Sequence, residues 1–334
     1  MSPGPAANVV WNGFYWQSGR VNAKPFYRRD SDPAHTVTLL QELQPRHTSV
    51  SAYVELMKPR IVELLVFTAI MAFLVAGSSV NLARLVAVLV AGTLASGGAG
   101  ALNCYLDRDL DKTMRRTSRR PIPTGEVSPA KALAFGLSLV AASLIISALF
   151  LPFLAGLFIF LGAGIYVLFY TKLLKPRTTL NIVLGGSAGS CAPLAGWAAA
   201  TGSLTTIAPW LMALLVFVWT PSHFWALAMR QVGDYAEAGI PMLPVVVGER
   251  KTAQYIALNT FLLVPVSLAL VPLSGFGLAY LAIAGVLGLG MIFVDLKLMF
   301  NPTKAQAWTA FKFSSPYLAI VFLAMLIDAK LLIH

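Results

Sequence analysis

The chain reads as an all-α polytopic membrane protein, a bundle of nine transmembrane helices. Hydrophobic residues make up 57% of its 334 and charged ones only 12%, with a mean hydropathy of +0.73. Soluble domains carry about 25% charge. Apolar runs recur at the roughly 18 residues a helix needs to cross hydrocarbon. They are too long and too unalternating for barrel strands.

The first run, near 61–77, opens with "LMKPRIVELLVF", and the second, 82–105, carries the small-residue stretch "LASGGAGAL", which permits close helix packing. An acidic, then arginine-rich loop follows, stopped by "PIPTG". Runs near 130–151 and 154–171 come next. The fifth, 180–200, is introduced by "LLKPRTTLNIVL" and contains "LGGSAGS"; the sixth, 207–229, leads to Asp234 and Glu237 and then to "AGIPMLPVVVGE". Runs near 253–271, 277–299 and 316–333 complete the set.

The order KPR, two helices, acids, Pro, Gly, Glu thus occurs twice, which predicts two acidic clusters facing one another at one membrane edge. Basic residues stay on the cytoplasmic or matrix side. With the N-terminus inside and the C-terminus outside, all 25 Lys and Arg except Arg84 and Lys330 lie inside. The net charge of +11 is therefore a topology signal. No nucleic acid partner is expected, because the basic residues are dispersed over membrane-edge loops. Residues 1–50 read as a polar, disordered cytoplasmic tail preceding a transmembrane domain over 51–334. Having Arg20, Lys24, Arg28 and Arg29 before the first acid, Asp30, they also admit a mitochondrial transit peptide. Cys104 and Cys191 lie in small-residue helical stretches and imply neither a disulfide framework nor a metal site.

Chemistry concentrates in "NCYLDRDLDKTMRRTSRRPIPTG", residues 103–125. Asn103, Asp107 and Asp111 recur every four residues, so on a continuing helix they form one stripe about 12 Å long while Asp109 points away. Such an oxygen-lined face suits Mg²⁺, which takes one or two carboxylates plus waters and substrate phosphate oxygens. The bland alternative is an acidic helix end paired with Arg108 and Lys112. Beside the stripe, Arg115, Arg116, Arg119 and Arg120 offer guanidinium forks that fit a diphosphate. The adjacent bilayer has room for a long apolar tail, and together these describe a polyprenyl diphosphate.

The pattern NxxxDxxxD followed by "RRTSRRPIPTG" resembles the aspartate-rich motif of the UbiA superfamily of intramembrane prenyltransferases. "YVELMKPRI", "NIVLGGSAGSCAPLAGWAAATG", "WTPSHFWALAMRQVGDYAEAGIPMLPVVVG" and "FSSPYLAIVFLAMLID" narrow the likeness to its haem-farnesylating branch, over about residues 50–330. The resemblance implies transfer of farnesyl from farnesyl diphosphate to a vinyl group of haem B, with addition of water, giving haem O and diphosphate. It implies Asn103, Asp107 and Asp111 as the first Mg²⁺ and diphosphate site and Asp234 as the second. Lys112, Arg116, Arg119, Arg120, Lys172 and Lys175 are then diphosphate ligands. A haem A synthase is the protein partner it suggests, alongside the lipid bilayer. The chain departs from the superfamily's commoner DxxxD at the second site: Arg230 stands four residues before Asp234, and Glu237 three after.

His223 is the one histidine in the helical part of the chain, since His35 and His47 fall in the tail and His334 is terminal. It reads either as a hydrogen-bonded residue inside the bundle or as a catalytic group that contacts haem iron or handles a proton near the vinyl. Tyr105, Tyr170 and Trp225 are candidates for stabilising an allylic cation, or else interfacial anchors. The expected location is a bacterial inner membrane with the site on the cytoplasmic side, or a mitochondrial inner membrane with the site on the matrix side. Two other readings stand: a related prenyltransferase with an aromatic acid, quinone precursor or chlorophyllide acceptor, and a transporter. The latter favours ionisable groups near the bilayer midplane rather than at helix ends.

Overall fold

The computed structural model describes residues 50–77 and 79–331. Apart from Val50, the tail expected over residues 1–50 lies outside the described residues, as do His35, His47 and His334. Among the described residues nine helices are long and apolar enough to cross a membrane, and no strand occurs. They are α1 (Pro59–Ala76), α2 (Leu82–Leu106), α3 (Pro129–Phe150), α4 (Phe153–Leu174), α5 (Asn181–Thr201), α6 (Ala208–Arg230), α7 (Glu249–Ser274), α8 (Leu278–Phe300) and α9 (Lys304–Leu331). The chain is a multi-pass membrane protein. Helix α9 begins twelve residues before the apolar run near 316–333. Its first turns, "KAQAWTAFKF", are good helix formers that hydropathy alone does not register.

Helix α6 is the centre of the bundle: 78% of its membrane window is buried, against 17% for α3. Outward faces carry Leu149, Phe153, Leu278 and Phe300, all exposed, as suits contact with lipid tails. Four short helices, Val50–Met57, Arg108–Thr113, Val232–Glu237 and Leu243–Val247, sit in the connections that carry the motifs. At the other end of α8, Asp328 of α9 accepts from the Gly277 and Tyr280 amides at 2.7 and 3.2 Å. It caps a helix start whose own Gly277 has no side chain to offer.

Small residues set the helix spacing near the site, as "LASGGAGAL" predicts. A Cβ on Gly98 of α2 would meet the Gly136 carbonyl of α3 at 2.8 Å. At Gly196 of α5 the approach is closer still, with the Ala69 carbonyl oxygen of α1 only 1.9 Å from where a Cβ would be. Gly196→Ala therefore forces α1 and α5 apart, and a loss of about 2–3 kcal/mol is expected in detergent unfolding. Gly285→Ala, in open space on α8, leaves the transition in place or raises it slightly.

Candidate active site

Helix α2 ends at Leu106 and the short helix Arg108–Thr113 begins two residues on, with Asp107 at the joint (φ −85°, ψ 0°). The four-residue spacing survives the joint. Asp107 N–H donates to the Asn103 carbonyl at 2.9 Å, and Asp111 N–H to the Asp107 carbonyl at 2.7 Å. Asn103, Asp107 and Asp111 are consequently all buried, while the Asp109 side chain is 74% exposed beside Arg108 and Lys112. The expected stripe is present.

Buried carboxylates require partners, since an unpaired charge costs several kcal/mol. Lys175 Nζ donates to Asp107 Oδ2 at 2.6 Å. Arg120 Nη1 reaches both Asp111 oxygens, at 2.9 and 2.8 Å. Asn103 donates through Nδ2 to Asp107 Oδ2 and to Thr171 Oγ1, both at 2.9 Å, and its Oδ1 accepts from Lys58 Nζ. Burial works against the charge of Arg120, but Asp111, with Cys104 and Tyr166, raises the guanidinium pKa above its usual value. At Lys58 burial again opposes the charge, yet Tyr166, Cys104 and Asp107 hold the ammonium pKa above its usual value.

Lys58 was not among the expected site residues. Its signal was the internal echo: Lys58 and Lys175 are the lysines of the two KPR copies, and both reach the same stripe. Pro59 disfavours the right-handed helical region for the residue before it. Among the described residues Lys58 is the sole non-glycine with positive φ (57°, ψ 62°). The left-handed conformation breaks the chain between Val50–Met57 and α1.

Lys175 reaches the stripe through a second irregularity. The C-terminal half of α4, Ile165–Leu174, is a π-helix. On an α-helix the nine residues from Tyr166 to Lys175 advance about 900°, half a turn out of phase. With i→i+5 bonding the winding is slower, and Tyr166, Tyr170, Thr171 and Lys175 come to one side. The Tyr166 and Tyr170 rings stack at 5.7 Å, Thr171 Oγ1 donates to the Tyr166 carbonyl, and Lys58 donates to the Tyr166 hydroxyl at 3.3 Å.

From the second half of the chain, Asp234 Oδ2 accepts from the Arg116 amide at 3.1 Å, and Arg116 Nη2 donates to the Tyr235 hydroxyl at 3.2 Å. Thr117 of the same loop donates to the Asp111 carbonyl at 3.1 Å. The acidic loops of the two halves therefore meet through residues 116 and 117. Not every expected cation joins them. Lys112 is exposed and paired with Asp109 at 3.4 Å; Arg115, Arg119, Lys172 and Glu237 are also exposed. Arg230 turns away, its guanidinium 4.0 Å above the Trp308 ring.

Beside Lys58 opens an apolar cavity of about 530 Å³, within the range of small-molecule sites. Arg60, Tyr166, Tyr170, Trp219, His223 and Phe311 are among its walls. His223 lies inside the bundle. It is buried and hydrogen-bonded through Nδ1 to Ser314 Oγ at 2.6 Å, and it lines the cavity between the rings of Trp219 and Phe311, at 4.3 and 4.4 Å. Of the expected cation-stabilising aromatics only Tyr170 lines this space. Tyr105 packs beside Ala52 and Ile122, and Trp225 is buried among Met114, Ile182 and Met229. Tyr166 and Trp219 also line it, because helix phase, not depth, decides which ring faces inward.

Residues 64–324 match the UbiA prenyltransferase family, which covers more than half of the chain. The chain belongs to the UbiA prenyltransferase family. Relatives of this UbiA prenyltransferase include "Protoheme IX farnesyltransferase 1" of Cenarchaeum symbiosum, 47% identical over 282 residues, covering 82% of this chain and 94% of the relative. Another is "Protoheme IX farnesyltransferase" of Synechocystis, 44% identical over 300 residues, covering 88% and 95%. Among solved structures, a digeranylgeranylglyceryl phosphate synthase shares the fold at a TM-score of 0.70 and 20% identity, covering 84% of this chain and 98% of that one. A UbiA homologue from Archaeoglobus fulgidus, described as bound to GPP and Mg²⁺, aligns at 0.59 and 18%, covering 82% and 99%.

Proposed function

We propose that this UbiA prenyltransferase transfers farnesyl from farnesyl diphosphate to a vinyl group of haem B, adding water to give haem O and releasing diphosphate. The observation that carries the geometry is Lys58, which binds the buried acidic stripe with its amine and borders the apolar cavity. A diphosphate head at the stripe and a prenyl tail in the cavity are thereby joined at one point. The haem acceptor follows from the protoheme IX farnesyltransferases at 44–47% identity.

The donor set fits Mg²⁺. Asn103, Asp107 and Asp111 present hard oxygens whose protein partners include three cations, Lys58, Lys175 and Arg120. Mg²⁺ takes one or two carboxylates and completes its shell with water and substrate phosphate oxygens. Asn103, Asp107, Asp111 and Asp234 would hold it, and it would supply Lewis-acid neutralisation of the diphosphate.

In this reading Lys175 and Arg120 exchange their carboxylate partners for diphosphate oxygens when substrate enters. Together with Lys58 they stabilise charge building on the leaving group as the C1–O bond breaks. Tyr166 and Tyr170 offer ring faces to the electron-poor allylic C1. The vinyl π electrons form the new C–C bond, positive charge develops on the adjacent carbon, and water adds there with loss of a proton. His223, hydrogen-bonded to Ser314, takes that proton in this reading. The site faces the cytoplasm or matrix, on the strength of the basic-residue distribution.

Incubating the purified full chain with reduced haem B, farnesyl diphosphate and Mg²⁺, then analysing the haems by mass, tests the proposal. A hydroxyethylfarnesyl haem that disappears with chelator and returns with Mg²⁺ is expected. Prenylation of an aromatic acceptor but not of haem would sink the acceptor assignment and leave prenyl transfer standing.

A further inference from the structure

The cavity's α6–α9 wall continues past its inner rim as a column of flat groups. Trp219 stacks on His223 at 4.3 Å and 23°, and His223 lies 4.4 Å from Phe311 at 30°. Phe311 stacks on Trp308 at 5.2 Å and 15°, and Arg230 caps Trp308 at 4.0 Å with Lys312 at 5.9 Å. Leu227 and Phe311 line the cavity. Arg230 and Trp308 each lie three residues further toward the inner edge, about 4.5 Å along their helices. The column thus runs from the cavity wall to a cationic rim.

That rim is not explained by the chemistry at the stripe. Arg230 and Lys312 are both exposed, and among the described residues neither pairs with a carboxylate. The internal repeat makes Arg230 conspicuous. The first half spaces two carboxylates four apart, Asp107 and Asp111; the second has Arg230 and Asp234 at the same spacing, a cation in place of an acid. The guanidinium lies against Trp308 of α9, whereas Lys58 and Lys175 contact Asn103 and Asp107 of the stripe. In the proposed function the donor diphosphate goes to the stripe, which leaves these two cations free for a second anion at the α6–α9 rim.

We propose that Arg230 and Lys312 bind the carboxylates of a flat, dianionic acceptor whose macrocycle seats against the α6–α9 wall. On the reading that this acceptor is haem B, on which the inference rests, the carboxylates are its two propionates. Guanidinium and ammonium groups at a wet rim suit carboxylates that stay near water while the apolar ring enters the cavity. The vinyl groups, at the opposite edge of the macrocycle, are then carried inward toward the prenyl donor.

The test titrates the full-length protein in detergent with haem B and with haem dimethyl ester, following absorbance, for wild type, Arg230→Met, Lys312→Met and the double variant. KM for farnesyl diphosphate is measured in parallel. Wild type is expected to prefer haem B over the ester, and the double variant to bind haem B about 10- to 100-fold more weakly. Its affinity for the ester and its KM for farnesyl diphosphate stay unchanged, and Arg230→Lys recovers part of the loss. A double variant that keeps the preference for the free acid overturns the propionate assignment alone, since wild type still farnesylates haem. Wild type that neither binds nor farnesylates haem overturns both this inference and the acceptor on which it rests.

Discussion

Asp107→Asn and Asp111→Asn are each expected to lower the rate of farnesyl transfer by about 10²-fold or more, while Asp109→Asn stays within about twofold of wild type. All three substitutions keep side-chain shape and remove one charge, so they separate position from electrostatics. The two buried acids face Lys175 and Arg120 at 2.6 and 2.8 Å, whereas Asp109 is 74% exposed with Arg108 and Lys112. Exposed pairs of that kind contribute about 0–1 kcal/mol. Asp107→Asn also leaves Lys175, only 12% exposed, without its carboxylate, so a lower melting midpoint accompanies the lost activity. Steady-state rates across a Mg²⁺ titration check this. Equal losses at all three positions would show that the stripe does not organise the site.

Lys58→Met is expected to reduce kcat/KM for farnesyl diphosphate by about 10²-fold, from loss of the amine that bridges Asn103 and the cavity mouth. Lys58→Gly distinguishes the two reasons a lysine stands there. A non-glycine residue at φ 57° carries strain of about 1–2 kcal/mol, which glycine does not. The glycine variant therefore melts no lower than the methionine variant yet is equally inactive. An active Lys58→Gly enzyme would mean that the backbone break, and not the amine, is what the motif supplies.

Much of the fold was legible because lipid imposes one local rule: each spanning segment must satisfy its own backbone and be apolar for about 20 residues. Eight of the spans were placed to within a few residues, and α9 was missed only in its polar first turns, "KAQAWTAFKF", where that rule does not operate. The stripe of Asn103, Asp107 and Asp111 was legible for a similar reason, since helical phase is local and the four-residue spacing carried across the joint at Asp107. The cations were less so. Arg120 and Lys175 reach the acids, but Lys112, Arg119 and Lys172 face outward, because composition places a charge at a membrane edge without saying which way it turns.

By itself the sequence determined the membrane class, the spans, the two-fold echo of its motifs and the acids that share a face. These depend on hydropathy and helical periodicity, which are properties of neighbouring residues. Only the tertiary structure decided that both KPR lysines converge on one stripe, that Arg116 links the two acidic loops, and that His223 is held by Ser314 against a cavity wall. Those contacts join residues 45 to 118 positions apart. They hang on a left-handed residue at Lys58 and a π-helix at Ile165–Leu174, conformations that regular helix periodicity does not encode and that surrounding packing must hold in place.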